Sequence, residues 1–271
     1  MHKQKNKSGF TLVELLVVIS IIALLVSILM PALGKARAQA KIIVCKTNLR
    51  SLQTGTILYT MDNNDKMMPQ SVSNTYGVWG NLWIEGIASY CEDVDEIRHC
   101  PNTRPATSSG HAPGNAKRSW RWKGYIDSSG TTRTIGGSYA INGWFYNYSN
   151  YTPPTTPPDF QSMIYKNISN TGSSPALIPF FADSNWVDVW PVNYEVCSAD
   201  LNLSEPDIWS TGPFESIEKL LMNRHGRGTN VSFLDGHQES VALERVWSLK
   251  WNKKFIPQGI MFRANGDTVY P

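Results

Sequence analysis

The sequence predicts an α+β fold: one long N-terminal helix whose first half crosses a membrane and whose second half packs on a head dominated by an antiparallel β-sheet with long loops. Three observations predict it. From Phe10 to Met30 run 21 residues whose only ionisable side chain is Glu14, about 31 Å of helix and enough for a bilayer core. From Gly34 to Met61 there is no proline and only one further glycine, Gly55, so the helix should continue. Beyond Met68-Pro69 the composition turns to Trp, Tyr, Gly, Ser, Asn and Pro, with short apolar runs between turn signals, the pattern of strands.

In chain order, residues 1–9 form a basic leader, 10–31 the transmembrane helix, 32–62 its amphipathic extension and 63–271 the head. Two other readings of the N-terminus exist. A secretory signal peptide has an apolar core of about 7–15 residues before a small-residue cleavage site; Ala36-Arg37-Ala38 has the composition of such a site but follows a longer core, past Pro31 and Gly34. An uncleaved signal anchor needs only a basic flank and an apolar stretch. Charge alone does not set the orientation, because Lys3, Lys5 and Lys7 precede the span while Lys35, Arg37 and Lys41 follow it.

Glu14 argues against both simple readings. A carboxylate within an apolar span costs on the order of 2–3 kcal/mol at mid-membrane and less near the edge, so a cationic or hydrogen-bond-donating partner is expected. The string Ser8-Gly9-Phe10-Thr11-Leu12-Val13-Glu14 resembles the processing site of type IV prepilins and type II secretion pseudopilins. The resemblance implies cleavage after Gly9 by a prepilin peptidase, N-methylation of Phe10 by the same enzyme, and a Glu14 that neutralises the Phe10 amine of a neighbouring subunit during assembly. Four residues separate the two groups, about one helical turn, so an axial stagger of one turn would bring them together between chains. Pro31 also falls where that family often carries a helix-kinking proline.

In the extension, Ile42, Leu49, Leu52, Thr56 and Tyr59 fall at helical spacings and predict the face that packs on the head. The Asp62-Asn63-Asn64-Asp65 cluster ends the helix as a turn or cap; calcium-loop spacing fails at Lys66 and the required glycine is missing. Gly137–Trp144, Ala176–Phe181 and Asn230–Leu234 read as strands. Residues 151–159, with four prolines and three threonines, form a surface loop, and 198–213 a second insertion. There is no internal repeat.

Near the C-terminus, Asp235-Gly236 lies between two alternating segments and predicts a β-hairpin over 225–236 with a type I′ turn, which needs positive φ at both central positions. Nine residues separate His225 from Asp235. This spacing resembles the His-x9-Asp-Gly motif at the C-terminus of one large group of prepilin-like proteins, whose role the resemblance does not supply. Cys45 with Asn48-Leu49, Cys100-Pro101, Ser138-Tyr139 with Asn142-Gly143, and Ala182-Asp183-Ser184 fit the same group.

His225, Asp235, His237 and Asp183 carry the chemistry of a zinc or acid–base site. The chain, however, has no His-Glu-x-x-His, Gly-x-Ser-x-Gly or Cys-x-x-Cys pattern. We therefore read His225 as bonding a loop, Asp235 as a turn residue and His237 as exposed, and expect no metal, no cofactor and no catalytic residues. Cys45, Cys91, Cys100 and Cys197 all follow the span; an even number in an extracytoplasmic head predicts disulfides, with Cys45–Cys100 stapling helix to head or Cys91–Cys100 closing a local loop. Ten tryptophans invite a glycan-binding surface built on Trp79, Trp83, Trp120, Trp122, Trp186 and Trp190; the alternative is that they fill the core. Lys3, Lys5 and Lys7 account for the whole formal excess of +3, so a mature chain is near neutral and nucleic-acid binding has no support.

The sequence thus predicts a non-enzymatic, prepilin-like subunit. By resemblance, its leader is cytoplasmic, its helix sits in the inner membrane with the head outside the cytoplasm, and other pilin-like subunits join it in a type IV pilus-like filament or secretion pseudopilus. A membrane-anchored glycan-binding protein is the second reading.

Overall fold

The computed structural model describes residues 11–69, 82–106, 110, 112–126, 131–148, 159–193, 217–220, 222 and 224–259. The processing pair Gly9-Phe10, Trp79, Cys197, residues 151–158 of the proline-rich loop and the insertion at 198–213 lie outside them. The chain divides into two compact units, 1–40 and 41–271.

Helix α1 (Leu12–Asp62) runs unbroken for 51 residues with Pro31 inside it. In the first unit its apolar side chains are uncovered, Leu12 at 86 % and Met30 at 68 % exposure, and the segment is long and apolar enough to cross a membrane. Ser20 and Ser27 return their hydroxyls to the carbonyls of Leu16 and Leu24, which leaves the helix surface apolar.

In the second unit, α1 buries Cys45, Leu49, Leu52, Gln53, Gly55, Thr56 and Thr60. Leu49, Leu52 and Thr56 are the expected face. Ile42 and Tyr59 are only half-buried at its margin, and Cys45 and Thr60 extend it at four-residue steps. The helix ends where Asn64 and Asp65 take positive φ (56° and 60°) and the Asp65 N–H reaches back to the Thr60 carbonyl at 2.8 Å, the turn its Asp/Asn composition favours.

Two short helices follow, α2 (Trp83–Ile87) and α3 (Val94–Ile97), and a fourth, α4 (Phe160–Met163), lies between the strands. β1 (Trp120–Ile126) and β2 (Thr132–Gly137) pair as an antiparallel ribbon. The main sheet holds β3 (Tyr139–Asn142), β4 (Pro179–Asp183), β5 (Asp188–Val189), β6 (Gly228–Phe233) and β7 (Gln238–Ala242) in the order β5-β3-β4-β6-β7. The sheet is mixed: β5 runs parallel to β3 and every other pair is antiparallel. Four residues, Ser184–Val187, carry the chain from the end of β4 to the free edge of β3. A strand that reverses direction after β4 necessarily runs parallel to β3 there.

The strand expectations hold with shifted ends. The first run splits between β2 and β3 and turns into a 3-10 segment at Gly143–Phe145, where the Asn142 side chain accepts from the Trp144 N–H. Ala176 and Leu177 sit in a 3-10 turn begun by Pro175, and β4 starts only at Pro179. Asp235-Gly236 does close a hairpin, but the turn differs from type I′. Only Gly236 has positive φ (97°), the Gly236 N–H bonds the Phe233 carbonyl, and the Phe233 N–H bonds the His237 carbonyl. Leu234, Asp235 and Gly236 therefore form a three-residue loop with glycine as its left-handed bulge residue, which spares Asp235 the strain of positive φ.

The sheet has cores on both faces. Tyr139 and Ile141 face one core with Cys45, Leu49, Leu52, Trp83 and Phe181. Ala140 faces the other with Ala182, Val231, Phe233, Trp247 and Trp251. Alternation along the strands distributes these residues. Covering both faces is why the strand runs carry so few charged residues.

Candidate functional site

Most of the motif pieces scattered through the head converge on one buried point. Cys45 comes from the buried face of α1. Cys100 ends the segment after α3, which Asn48 pins to the helix by donating to the His99 carbonyl at 3.0 Å. Asp183 is the last residue of β4, and His225 stands in the loop that enters β6. Cys45 Sγ, Cys100 Sγ, an Asp183 carboxylate oxygen and a His225 ring nitrogen all lie within 4.8 Å of one another.

Cys45 Sγ is 3.5 Å from both Asp183 oxygens, Cys100 Sγ is 3.2 Å from His225 Nε2, and that nitrogen is 3.3 Å from Asp183 Oδ2. Around them lies a shell of hydrogen bonds. Arg224 Nη1 donates to Asp183 Oδ1 at 3.1 Å and to the Ser138 carbonyl at 2.7 Å, and both side chains of the pair are inaccessible. The Asn230 N–H donates to Asp183 Oδ2 at 3.1 Å. Asn102 Nδ2 donates to the Arg224 carbonyl at 2.8 Å and stands 3.3 Å from His225 Nδ1. The Tyr139 hydroxyl is buried with no hydrogen-bond partner of ordinary geometry, though it lies near enough to Cys45 to perturb its thiol.

Burial dominates the electrostatics and works against every charge here. It pushes the Cys45 thiol well above its ordinary range, with Cys100 and Asp183 adding to the effect. At Cys100 burial is overcome by hydrogen bonds from Cys45 and His225 and by the Arg224 charge, and the thiol falls to about 6. Burial of His225 opposes its imidazolium, but Cys100 and Asp183 outweigh it and hold its pKa above the usual value. Both shifts favour a thiolate on Cys100 facing an imidazolium on His225. With Cys100 at 1 % exposure and the His225 side chain at 1 %, no substrate can reach the sulfur, so the pair has the chemistry of a nucleophile without the access.

The set His225, Asp235, His237 and Asp183 divides. His225 meets Asp183, whereas Asp235 and His237 pair with each other at 2.5 Å on half-exposed side chains. The nine-residue spacing spans β6, about 20 Å of strand, so it puts the two motif ends at opposite ends of the strand. The absence of a ligand-spacing motif does not bear on the site, because its four donors come from four separate stretches of chain. In sequence, the nearest signal is that Cys45 lies one helical turn before Leu49.

Cys45, Cys91 and Cys100 are free thiols. Of the two expected disulfide pairings, the fold brings together Cys45 and Cys100. Cys91 instead packs into the notch that Gly55 leaves in α1 and faces the Ser51 carbonyl. The described tryptophans are core: Trp83, Trp120, Trp122, Trp144, Trp247 and Trp251 are buried, and Trp186 and Trp190 pack half-buried against the first core. The described tryptophans therefore form no open stacking surface. At the other end of the chain, Thr11 and Glu14 form a capping box: the Thr11 N–H and hydroxyl donate to Glu14 Oε2 at 2.9 and 2.7 Å, and the Glu14 N–H returns to Thr11 Oγ1.

Comparison with known proteins bears on that N-terminal end. Residues 4–30 match the family described as Prokaryotic N-terminal methylation motif. The chain is 38 % identical over 74 residues to the Type IV wide pilus major component PilA4 of Thermus thermophilus, covering 27 % of this chain and 56 % of that protein. It is 31 % identical over 61 residues to the Type II secretion system core protein G of Pseudomonas aeruginosa, covering 22 % of this chain and 43 % of that protein. The chain spans about half the length of the curated relatives it matches. No solved structure matches it. These similarities make the chain type IV prepilin- or pseudopilin-like, and the family match ends at residue 30, before the first residue of the buried cluster.

Proposed function

We propose that this chain is a non-enzymatic, prepilin-like structural subunit. It is cleaved after Gly9, N-methylated at Phe10 and held in the inner membrane with its head outside the cytoplasm. From there it is built through its N-terminal helix into a type IV pilus-like filament or a type II secretion pseudopilus. The observation that carries this reading is the methylation-motif match over residues 4–30 on a helix whose apolar side chains are uncovered through the first unit. Such a surface needs lipid before assembly and other helices after it. The similarity to a pilus component and to a secretion-system protein supports the choice of machines. The inaccessibility of Cys100 and His225 supports a structural rather than a catalytic head.

Glu14 has two states in this scheme. In the single chain it caps its own helix through Thr11. In the filament it turns to the methylated Phe10 amine of a neighbour, exchanging neutral donors for a cationic one, which makes a stronger bond. Intact-mass and N-terminal peptide analysis of the protein from its native membranes tests the processing step. The expected chain begins at methylated Phe10. A retained Met1 leader, or a start near Gln39, would overturn the reading.

A further inference from the structure

We propose that Cys45, Cys100, Asp183 and His225 form a structural zinc site that ties the head together. This goes beyond the filament reading and does not depend on it.

The distances between donors carry the argument. A tetrahedral zinc with bonds of about 2.3 Å to sulfur and about 2.0–2.2 Å to nitrogen and oxygen sets its ligands about 3.4 Å apart for a nitrogen–oxygen edge and about 3.6 Å apart for edges from sulfur to either. Three of the six edges are 3.3 Å from His225 Nε2 to Asp183 Oδ2, 3.5 Å from Cys45 Sγ to Asp183 and 3.2 Å from Cys100 Sγ to His225 Nε2, and all four donors lie within 4.8 Å of one another. Ordinary thiol packing does not require four donors from four segments to meet at these separations. Two thiolates, an imidazole and a carboxylate are a donor set suited to a borderline-soft, tetrahedral divalent ion.

The surrounding groups fit the same occupant. Two thiolates and a carboxylate carry three negative charges; a divalent ion and the buried Arg224 guanidinium cancel them, leaving the site neutral in a low-dielectric interior. The buried Tyr139 hydroxyl stands beside Cys45 and has a stronger acceptor there when Cys45 is a metal thiolate. Arg224 and the Asn230 N–H orient the Asp183 carboxylate from outside, as supporting groups do around metal ligands. All four ligands come from the protein and are buried, so no coordination position remains for substrate. The site is therefore structural, cross-linking α1, the segment after α3, the end of β4 and the approach to β6. A Cys45–Cys100 disulfide would use only two of the four donors and leave the approach of His225 and Asp183 to them unexplained.

The test uses the full-length chain purified in detergent without chelator. We expect one zinc per chain by elemental analysis. Replacement by cobalt(II) should give the intense visible bands of a tetrahedral site and a sulfur-to-metal charge-transfer band. Cys100→Ser and Cys45→Ser should each lower zinc occupancy at least ten-fold, while His225→Cys, which keeps a ligand, should retain it. If the serine variants fail to fold, the wild-type metal content and cobalt spectrum decide the question without them. The proposal is overturned by a chain that takes up neither zinc nor cobalt after reconstitution with its thiols reduced, by recovery of a Cys45–Cys100 disulfide peptide from the native protein, or by zinc that survives in well-folded Cys45→Ser and Cys100→Ser variants.

Discussion

Thr11 and Glu14 satisfy each other at the start of the helix: Glu14 Oε2 accepts both the N–H and the hydroxyl of Thr11, at 2.9 and 2.7 Å. This pairing gives Glu14 a local partner in the unassembled chain. A carboxylate without one would sit unpaired at the edge of an apolar span.

Substitution at Glu14 should therefore separate helix capping from assembly. Glu14→Gln keeps a side chain that can accept from Thr11 but loses the charge that meets a neighbouring amine. We expect leader cleavage to proceed as in the wild type and the amount recovered in sheared filaments to fall at least ten-fold. Thr11→Val, which removes only the hydroxyl, should leave filament recovery within about two-fold, since a lost cap bond costs on the order of 1 kcal/mol. Normal filament recovery for Glu14→Gln would remove the assembly role.

Gly55 and Cys91 are a matched pair. A Cβ at Gly55 would overlap Cys91 Sγ, and overpacking of this kind costs about 1–3 kcal/mol. Gly55→Ala should lower the thermal midpoint. In a Cys91→Ala background the obstruction is gone, and the same change should raise it, because alanine is favoured over glycine in a helix by roughly 1 kcal/mol. A double-mutant cycle on the full-length chain in detergent reads the coupling, and additive effects would contradict the contact.

Asn142 joins three parts of the head. Its Nδ2 donates to the carbonyls of Pro179 and Trp251 at 2.9 and 2.8 Å, and its Oδ1 accepts from the Trp144 N–H. Asn142→Asp preserves shape and the Oδ1 acceptor but presents an acceptor to two buried carbonyls. We expect a loss of at least about 2–3 kcal/mol from the unsatisfied groups, measured by denaturant midpoint. A near-neutral effect would mean these bonds contribute little.

Asp188 should give the head a pH dependence. Burial pushes its carboxyl up to about 7 despite the charge of Lys219, against about 3.9 in an unfolded chain. Between these values the folded chain keeps a proton that the unfolded chain has released. Stability should therefore fall as pH rises from about 4 to about 7 and level off above that. Asp188→Asn should remove this component, so plots of melting temperature against pH for the wild type and the variant should differ in slope between about pH 4 and pH 7. Parallel curves would contradict the assignment.

The cluster around Asp183 illustrates what a sequence does not carry. Cys45, Cys100, Tyr139, Asp183 and His225 are each visible as parts of short motifs, but no spacing between them predicts contact, since each sits on a different element. The His225-to-Asp235 spacing suggests a single unit, yet β6 holds its ends apart. Composition does not assign the tryptophans to surface or core, because a large aromatic side chain suits either. Counting cysteines likewise does not choose their partners. Only the packing of α1 on the sheet brings Cys45 to Cys100 and leaves Cys91 at Gly55.

Features governed by local chemistry are readable from the residues alone. These are the apolar span, the helix that continues to Asp62 and stops at an Asn/Asp turn, the strand-forming runs and the Asp-Gly hairpin. Each follows from periodicity, turn chemistry or hydrophobicity over a few neighbouring residues. Which residues meet across the chain is settled by packing instead: the mixed sheet with β5 beside β3, the two cores and the four-donor cluster. Those arrangements depend on loop paths and on the shapes of packed side chains. Local sequence signals do not encode either, so only the folded chain fixes them.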